Sequence, residues 1–173
     1  MRIWRRRGSR LINFELHPGA AIPITLAKKM TPPTAIEINP IPECLDGKCA
    51  VKNFVGKSVE QATKLFEDNG LHYSDDLRWM GPIGFKFYFK SALAYLKSAK
   101  SHGDPDFLNS MISILESRLF GEYNDFEGIK GGIDDYAEFS SYALDNYDAY
   151  DLDQNIYGDL RPNLRSLSEK LQG

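Results

Sequence analysis

The stretch Leu77–Lys100, LRWMGPIGFKFYFKSALAYLKSAK, is the densest apolar run of the chain, and the helices predicted beside it need such a surface to pack on. Pro82 suits the first turn of a helix, because it lacks an N–H and its φ angle is already helical. Apolar residues then recur at helical spacing, although Phe85–Phe89 alone also fits an alternating strand. The pattern continues to Leu96 without a turn signal, so we predict a mostly buried helix. Its stripe is Phe85, Phe89, Ala92, Leu93 and Leu96, widened by Ile83, Phe87 and Ala94, with Lys86, Lys90 and Lys97 as the solvated ridge.

The same stretch resembles part of a family of bacterial proteins. The string WMGP at residues 79–82, followed by Phe85, Tyr88 and ALAYL at 92–96, is similar to small uncharacterised bacterial proteins with a WMGP-x-x-F-x-x-Y helix. The resemblance extends over residues 50–120. Proteins of this kind are often suspected of being immunity or accessory proteins beside secreted toxins, so the resemblance implies a protein-binding role. The resemblance assigns no catalytic or binding role to any residue.

Length and composition predict one globular domain. A chain of 173 residues with 42 % hydrophobic residues can bury a core without disulfides or metals. The sequence has no run of about 18 apolar residues, so no membrane span is expected. Glu15, His17 and Pro18 interrupt the arginine-rich start, so no export signal is predicted. The expected location is the cytoplasm, although a mitochondrial-type presequence fits the composition alone.

Residues 1–43 are predicted to form a Pro-rich basic arm. Six prolines break up any long element, and five of the first ten residues are arginines. Ala21–Leu26 and Thr34–Ile38 are β-prone, so the arm is expected to be partly flexible and to add at most a small β element. Its arginines would attract nucleic acid or anionic lipid, but a solvated end is the favoured interpretation.

The two cysteines, Cys44 and Cys49, flank a predicted turn at Asp46-Gly47. A disulfide would close this loop only in an oxidising compartment, and two unpaired thiols are favoured. Two sulfurs are too few for a zinc site, and the three histidines show no metal spacing. No cofactor is predicted.

Helix signals recur from residue 44 to residue 173. Ser58 and Gln61 form a capping-box pattern that starts a helix over residues 59–69, with Gly70 as its stop. Asp104 followed by Pro105 starts another helix, which ends at Gly121. We predict a mainly α single domain over residues 44–173, an antiparallel bundle of about five helices. Two stripes are expected to dock into its core: Leu108, Met111, Ile112, Leu115 and Leu119, and, in a last helix over residues 162–172, Leu160, Leu164, Leu167 and Leu171.

Residues 122–160 form an acidic, Tyr-rich segment. It contains eleven acids against one base, Lys130, a local charge of −10 in a chain whose net charge is −3. Asp134 or Asp135 is predicted to cap a helix that extends to about residue 147. Along this helix Tyr136, Phe139, Ala143 and Tyr147 face one way.

Catalytic motifs are weak in this segment. Asp151-x-Asp153-x-Asn155 begins like a calcium loop, but Ile156 stands where the turn needs glycine and Pro162 where a bidentate Glu is needed. No pair of carboxylates is singled out for acid–base hydrolysis. The chain also has neither a Gly-x-Ser-x-Gly elbow nor Walker spacing.

Two interpretations of the acidic segment stay open. One is an ordinary solvated face whose tyrosines pack with their hydroxyls outward. The other is a binding surface, because carboxylates attract a basic partner and tyrosines supply rigid contact area. The residues expected to form that surface are Asp145, Tyr147, Asp148, Tyr150, Asp151 and Asp153.

The preferred function is a non-enzymatic cytoplasmic binding protein. It would act as an immunity-type inhibitor that covers the cationic cleft of a basic toxin or nuclease. The alternatives are a small hydrolase with a carboxylate site and a divalent metal, and a homodimeric structural or accessory protein. Direct nucleic-acid binding would depend on the basic arm alone and is not expected.

Overall fold

The computed structural model describes residues 30–121 and 125–172, and within these ranges all regular structure is helical. The mainly α prediction, a helical bundle, is confirmed. Single 3-10 turns lie at Ala99–Ser101, Lys130–Gly132 and Tyr147–Tyr150. The α-helices are α1 Ala35–Ile38, α2 Leu45–Phe54, α3 Val59–Asp68, α4 Gly70–Arg78, α5 Pro82–Leu96, α6 Pro105–Phe120, α7 Phe126–Ile129, α8 Ile133–Asp145, α9 Gln154–Tyr157 and α10 Arg161–Gln172. None of these helices is both long and apolar enough to cross a bilayer.

Helix α5 lies at the centre of the fold and packs against α1, α3, α4, α7 and α8. It begins as predicted, with Gly81 as N-cap and Pro82 at the first position. All five stripe residues are buried. The strand interpretation of Phe85–Phe89 is wrong, because these residues lie inside α5. Ile83 and Ala94 are exposed instead of widening the buried surface. The lysine ridge faces α8, and its last two lysines form ion pairs there: Lys90 with Asp135 and Lys97 with Glu138.

Gly81 is where the preceding chain lies directly on α5. Its N–H donates to the carbonyl oxygen of Ile38 at 2.7 Å, and a Cβ at this position would lie 2.7 Å from Pro40 Cδ. Ile38 is fully buried. A side chain at residue 81 would therefore push residues 37–40 away from the bundle.

The β-prone piece Thr34–Ile38 is a helical turn, so that part of the strand prediction is wrong. The Glu37 carboxylate accepts hydrogen bonds from the backbone N–H and the hydroxyl of Thr34, both at 2.8 Å. This local capping outweighs the strand preference of the two isoleucines. The other piece, Ala21–Leu26, and the arginine-rich start lie outside the described residues.

The two longest helices that were not predicted are α2 and α4. The turn expected at Asp46-Gly47 is wrong, because Gly47 lies inside α2 and its N–H donates to Cys44 Sγ at 3.3 Å. Both cysteines are free thiols. Gly70 was expected to stop a helix, but it is the first residue of α4. Asn69 ends α3 and also caps α4, because its side chain accepts a hydrogen bond from the His72 N–H at 2.9 Å.

The remaining helices follow their sequence signals closely. The Ser58–Gln61 capping box and the Asp104 cap are both present. Helix α8 starts at Ile133 after Gly132, so Asp134 and Asp135 lie in its first turn, where negative charge favours the helix dipole, and do not cap it. Helix α10 packs along α8 and α6. The predicted core residues Leu108, Met111, Ile112, Leu115, Leu119, Tyr136, Phe139, Ala143, Leu160, Leu164, Leu167 and Leu171 are all buried.

Candidate functional site

The candidate site lies where the chain passes from α8 to α10. This connection contains the 3-10 turn Tyr147–Tyr150, the short helix α9 and the start of α10 at Arg161. We call the carboxylates Asp145, Asp148, Asp151 and Asp153 the acidic patch. All four are exposed.

The two tyrosines predicted to belong to the binding surface are core residues. Tyr150 is fully buried, and its hydroxyl donates to the carbonyl oxygen of Leu96 at 3.2 Å. Burial raises the pKa of Tyr150 above its ordinary value, so its hydroxyl stays protonated as a donor. Tyr147 is 8 % exposed, and its oxygen accepts a hydrogen bond from the Leu160 N–H at 2.9 Å. Both rings therefore fix the connection onto the bundle and offer little contact area to a partner.

The backbone of the connection is also tied down. The Gly103 N–H donates to the carbonyl oxygen of Ala149 at 2.9 Å, which joins the 3-10 turn to the loop before α6. Asp151 then adopts φ 52° and ψ 45°, the left-handed conformation that Asp tolerates better than most residues. Asp148 and Asp151 both line one shallow depression of about 230 Å³.

Arg161 is the cation of this region. Its Nε lies 2.8 Å from Asp159 Oδ1, and its guanidinium lies 4.9 Å from the centroid of the Tyr147 ring. The hydrogen bond with Asp159 raises the pKa of Arg161, and the charge of Asp148 adds to this shift. A second depression of about 240 Å³ places Asp145 and Asp148 beside the same guanidinium. Residues 145–161 thus combine five carboxylates with one cation.

The acids of residues 122–160 fall into two groups by their charge compensation. Before residue 140, four of the five described acids are ion-paired, and the exposed Asp134 is not. After it, Asp159 pairs with Arg161, but Asp145, Asp148 and Asp151 form no ion pair with any cation of the described chain. Asp153 caps α9 by accepting from the Asn155 N–H at 2.8 Å. Negative charge is therefore concentrated at the acidic patch. The compensated pairs are Asp125 with Arg118, Glu127 with Lys130, Asp135 with Lys90 and Glu138 with Lys97.

The described residues do not form a metal-binding site. No three His, Cys, Asp or Glu side chains among them come together as metal ligands. Asp153 and Asn155, two positions of the calcium-like spacing, are hydrogen-bonded to each other within the α9 cap.

Sequence reasoning missed two features of the surface. Arg161 was not assigned to the site, although it lies two residues from Asp159, a spacing that allows a local ion pair. An apolar groove beside Trp79 was also missed, because its walls come from residues about 40 positions apart in the chain. Only the folded chain brings these walls together.

The comparisons with known proteins gave no relative. No family model matches this chain, and no curated protein or solved structure matches it.

Proposed function

We propose that this protein is a non-enzymatic binding protein that docks a basic protein partner on its acidic patch. The partner class is a basic toxin or nuclease, which the protein would inhibit in the cytoplasm as an immunity protein does. The acidic patch would cover the cationic cleft with which such a partner holds phosphate.

The concentration of uncompensated carboxylates is the observation that supports this proposal most. Asp145, Asp148 and Asp151 are exposed and form no ion pair in the described chain, whereas four of the five described acids before residue 140 are paired with lysine or arginine. Like charges held together on a fixed surface raise the local potential and accelerate association with an oppositely charged protein. Ile156, 72 % exposed and three residues after Asp153, adds an apolar contact to this surface.

The mechanism has two separable parts. Carboxylates attract the partner over distances comparable with the Debye length, about 8 Å at physiological ionic strength, so this part weakens with salt. Short-range contacts around Ile156 then determine how long the complex lasts. Tyr147 and Tyr150 act indirectly, because their buried rings hold the connection in place.

The test is a pull-down from the native host with the tagged full-length chain, eluted by a salt gradient and identified by mass spectrometry. We expect one basic protein to elute at moderate salt from the wild type and to be lost with Asp148→Lys/Asp151→Lys. The matched control is Asp68→Lys/Glu169→Lys, which changes net charge equally at two exposed acids outside the acidic patch. Recovery of the same basic protein by the patch variant would refute the proposal.

A further inference from the structure

The second surface feature is an apolar groove of about 290 Å³ where the chain before α2 meets the start of α5. Pro40 and Ile41 form one wall, and Trp79, Met80 and Pro82 form the other. Cys44 also lines it. The polar groups Arg118 and Asp125 border this groove but are ion-paired with each other. The open space is therefore suited to apolar side chains.

Exposed apolar residues are frequent in the chain segment that forms one wall of this groove. Four of the nine large hydrophobic residues that are exposed in the described chain fall within residues 30–45. Ile41 is 63 % exposed and Leu45 is 73 % exposed, and Met30 and Ile36 complete the set. Ile41, which lines the groove, is the member of this set that a docked apolar segment would cover.

We propose that this groove docks an apolar stretch of the same chain, residues 11–16, LINFEL. Four of its six residues are apolar: Leu11, Ile12, Phe14 and Leu16. Its acidic residue, Glu15, is opposite in charge to Arg78, which lines the groove, is partly exposed and also lies 3.4 Å from the exposed carboxylate of Asp75. The stretch thus matches the groove in both polarity and charge.

Chain length and tethering favour this occupant over a second copy. The described chain begins at Met30, 14 residues after Leu16, and 14 residues can span up to roughly 46 Å. A segment tethered by a short linker experiences an effective concentration in the millimolar range. At micromolar protein concentrations a second molecule competes poorly with such a segment.

The reactivity of the two natural cysteines measures whether the groove is covered. Cys44 lines the groove, whereas Cys49 is exposed in the middle of α2, does not line the groove, and serves as the internal reference. We measure the alkylation rate of each thiol by iodoacetamide, an uncharged reagent, in the intact full-length chain and read both sites by mass spectrometry. Docking of residues 11–16 should shield Cys44 and leave Cys49 reactive.

The decisive variants are Phe14→Glu and Leu16→Glu. Each removes the burial of one large apolar side chain, so we expect the Cys44 rate to rise about tenfold while the Cys49 rate stays constant. Ser9→Glu introduces the same charge outside the stretch and should leave both rates unchanged. An unchanged Cys44 rate in both variants would overturn the proposal. Shielding of Cys44 that disappears when the wild type is diluted about 100-fold would also overturn it, because it would identify a second copy as the occupant.

Discussion

The guanidinium of Arg118 donates a 2.8 Å hydrogen bond from Nη1 to the carbonyl oxygen of Met80. The same nitrogen lies 3.2 Å from the carbonyl oxygen of Leu77, one of the last carbonyls of α4, which have no partner within their helix. The guanidinium also lies 4.1 Å from the centroid of the Phe85 ring and pairs with Asp125. One side chain, 3 % exposed, therefore joins α6 to the end of α4, the start of α5 and the N-terminus of α7.

Arg118→Met should be strongly destabilising. It leaves the carbonyls of Leu77 and Met80 and the carboxylate of Asp125 without this donor, and removing one member of a buried pair costs about 3–5 kcal/mol. Arg118→Lys keeps the charge but loses the forked geometry, so its loss should be smaller. Urea denaturation measures both. The control Arg165→Met, at an exposed position of α10, should change the free energy of unfolding by no more than about 0.5 kcal/mol.

Gly81→Ala tests the close approach of residues 37–40 to α5. The added Cβ would lie 2.7 Å from Pro40 Cδ and 3.0 Å from the carbonyl oxygen of Glu37, so the chain before α2 must shift. We expect a loss of about 1–3 kcal/mol in the free energy of unfolding. Gly131→Ala is the control, because its Cβ would meet only the end of Lys86 at 3.8 Å. Equal stability of the two variants would contradict this account of the WMGP string.

The carboxyl of Asp76 should make stability depend on pH. Burial raises its pKa above 3.8, while the hydrogen bond from Asn53 and the charge of His72 oppose that shift, and Asp75 and Asp46 add to it. The folded state then binds more protons than the unfolded state between pH 3.8 and the raised pKa. Stability contributed by this group is therefore present below pH 3.8 and is lost as pH rises through the folded-state pKa.

Asp76→Asn should remove this part of the pH dependence. We expect a flatter profile of the free energy of unfolding than in the wild type, measured by urea denaturation in half-unit steps upward from pH 3.8. Asp68→Asn, at an exposed position, serves as the control. A profile for Asp76→Asn that still follows the wild type would show that another group titrates there.

Tyr150→Phe should separate support of the acidic patch from recognition by it. Loss of the hydrogen bond to the Leu96 carbonyl should cost about 1 kcal/mol of unfolding free energy. The Leu96 oxygen keeps its 2.8 Å bond from the Ser101 hydroxyl, so no larger loss is expected. Because the carboxylates are untouched, the salt concentration that elutes the partner should stay at the wild-type value. Asp148→Lys should leave the free energy of unfolding near the wild-type value and lower the salt concentration that elutes the partner.

Sequence reasoning predicted the helices whose signals are local. Asp104 and Pro105 start α6, Ser58 starts α3, and both caps depend on neighbours within three residues. Helix α2 was missed because Gly47 resembles a turn residue. The absence of a side chain at Gly47 makes room for Asn39, which precedes α2, since a Cβ at residue 47 would lie 2.4 Å from Asn39 Oδ1. Contacts of this kind are not visible in the periodicity of the chain.

The acidic patch was predictable only in part. Its carboxylates are exposed, as charged residues usually are, so their exposure could be predicted from polarity alone. Tyr147 was placed both on the inner face of α8 and on the binding surface, and the structure selects the inner face. Tyr150 follows it by three residues along the same 3-10 turn, which carries it toward the core as well. Which acids are compensated depends largely on cations of other helices, Lys90 and Lys97 of α5 and Arg118 of α6.

The buried rings of Tyr147 and Tyr150 also determine how association with a partner should appear in a calorimeter. A surface whose backbone is already fixed by the core loses little conformational entropy when a complex forms. No segment has to fold at that moment, so the heat capacity change should correspond to the interface area alone. The acidic patch should therefore bind with a small negative heat capacity change, and a binding enthalpy that varies only weakly with temperature.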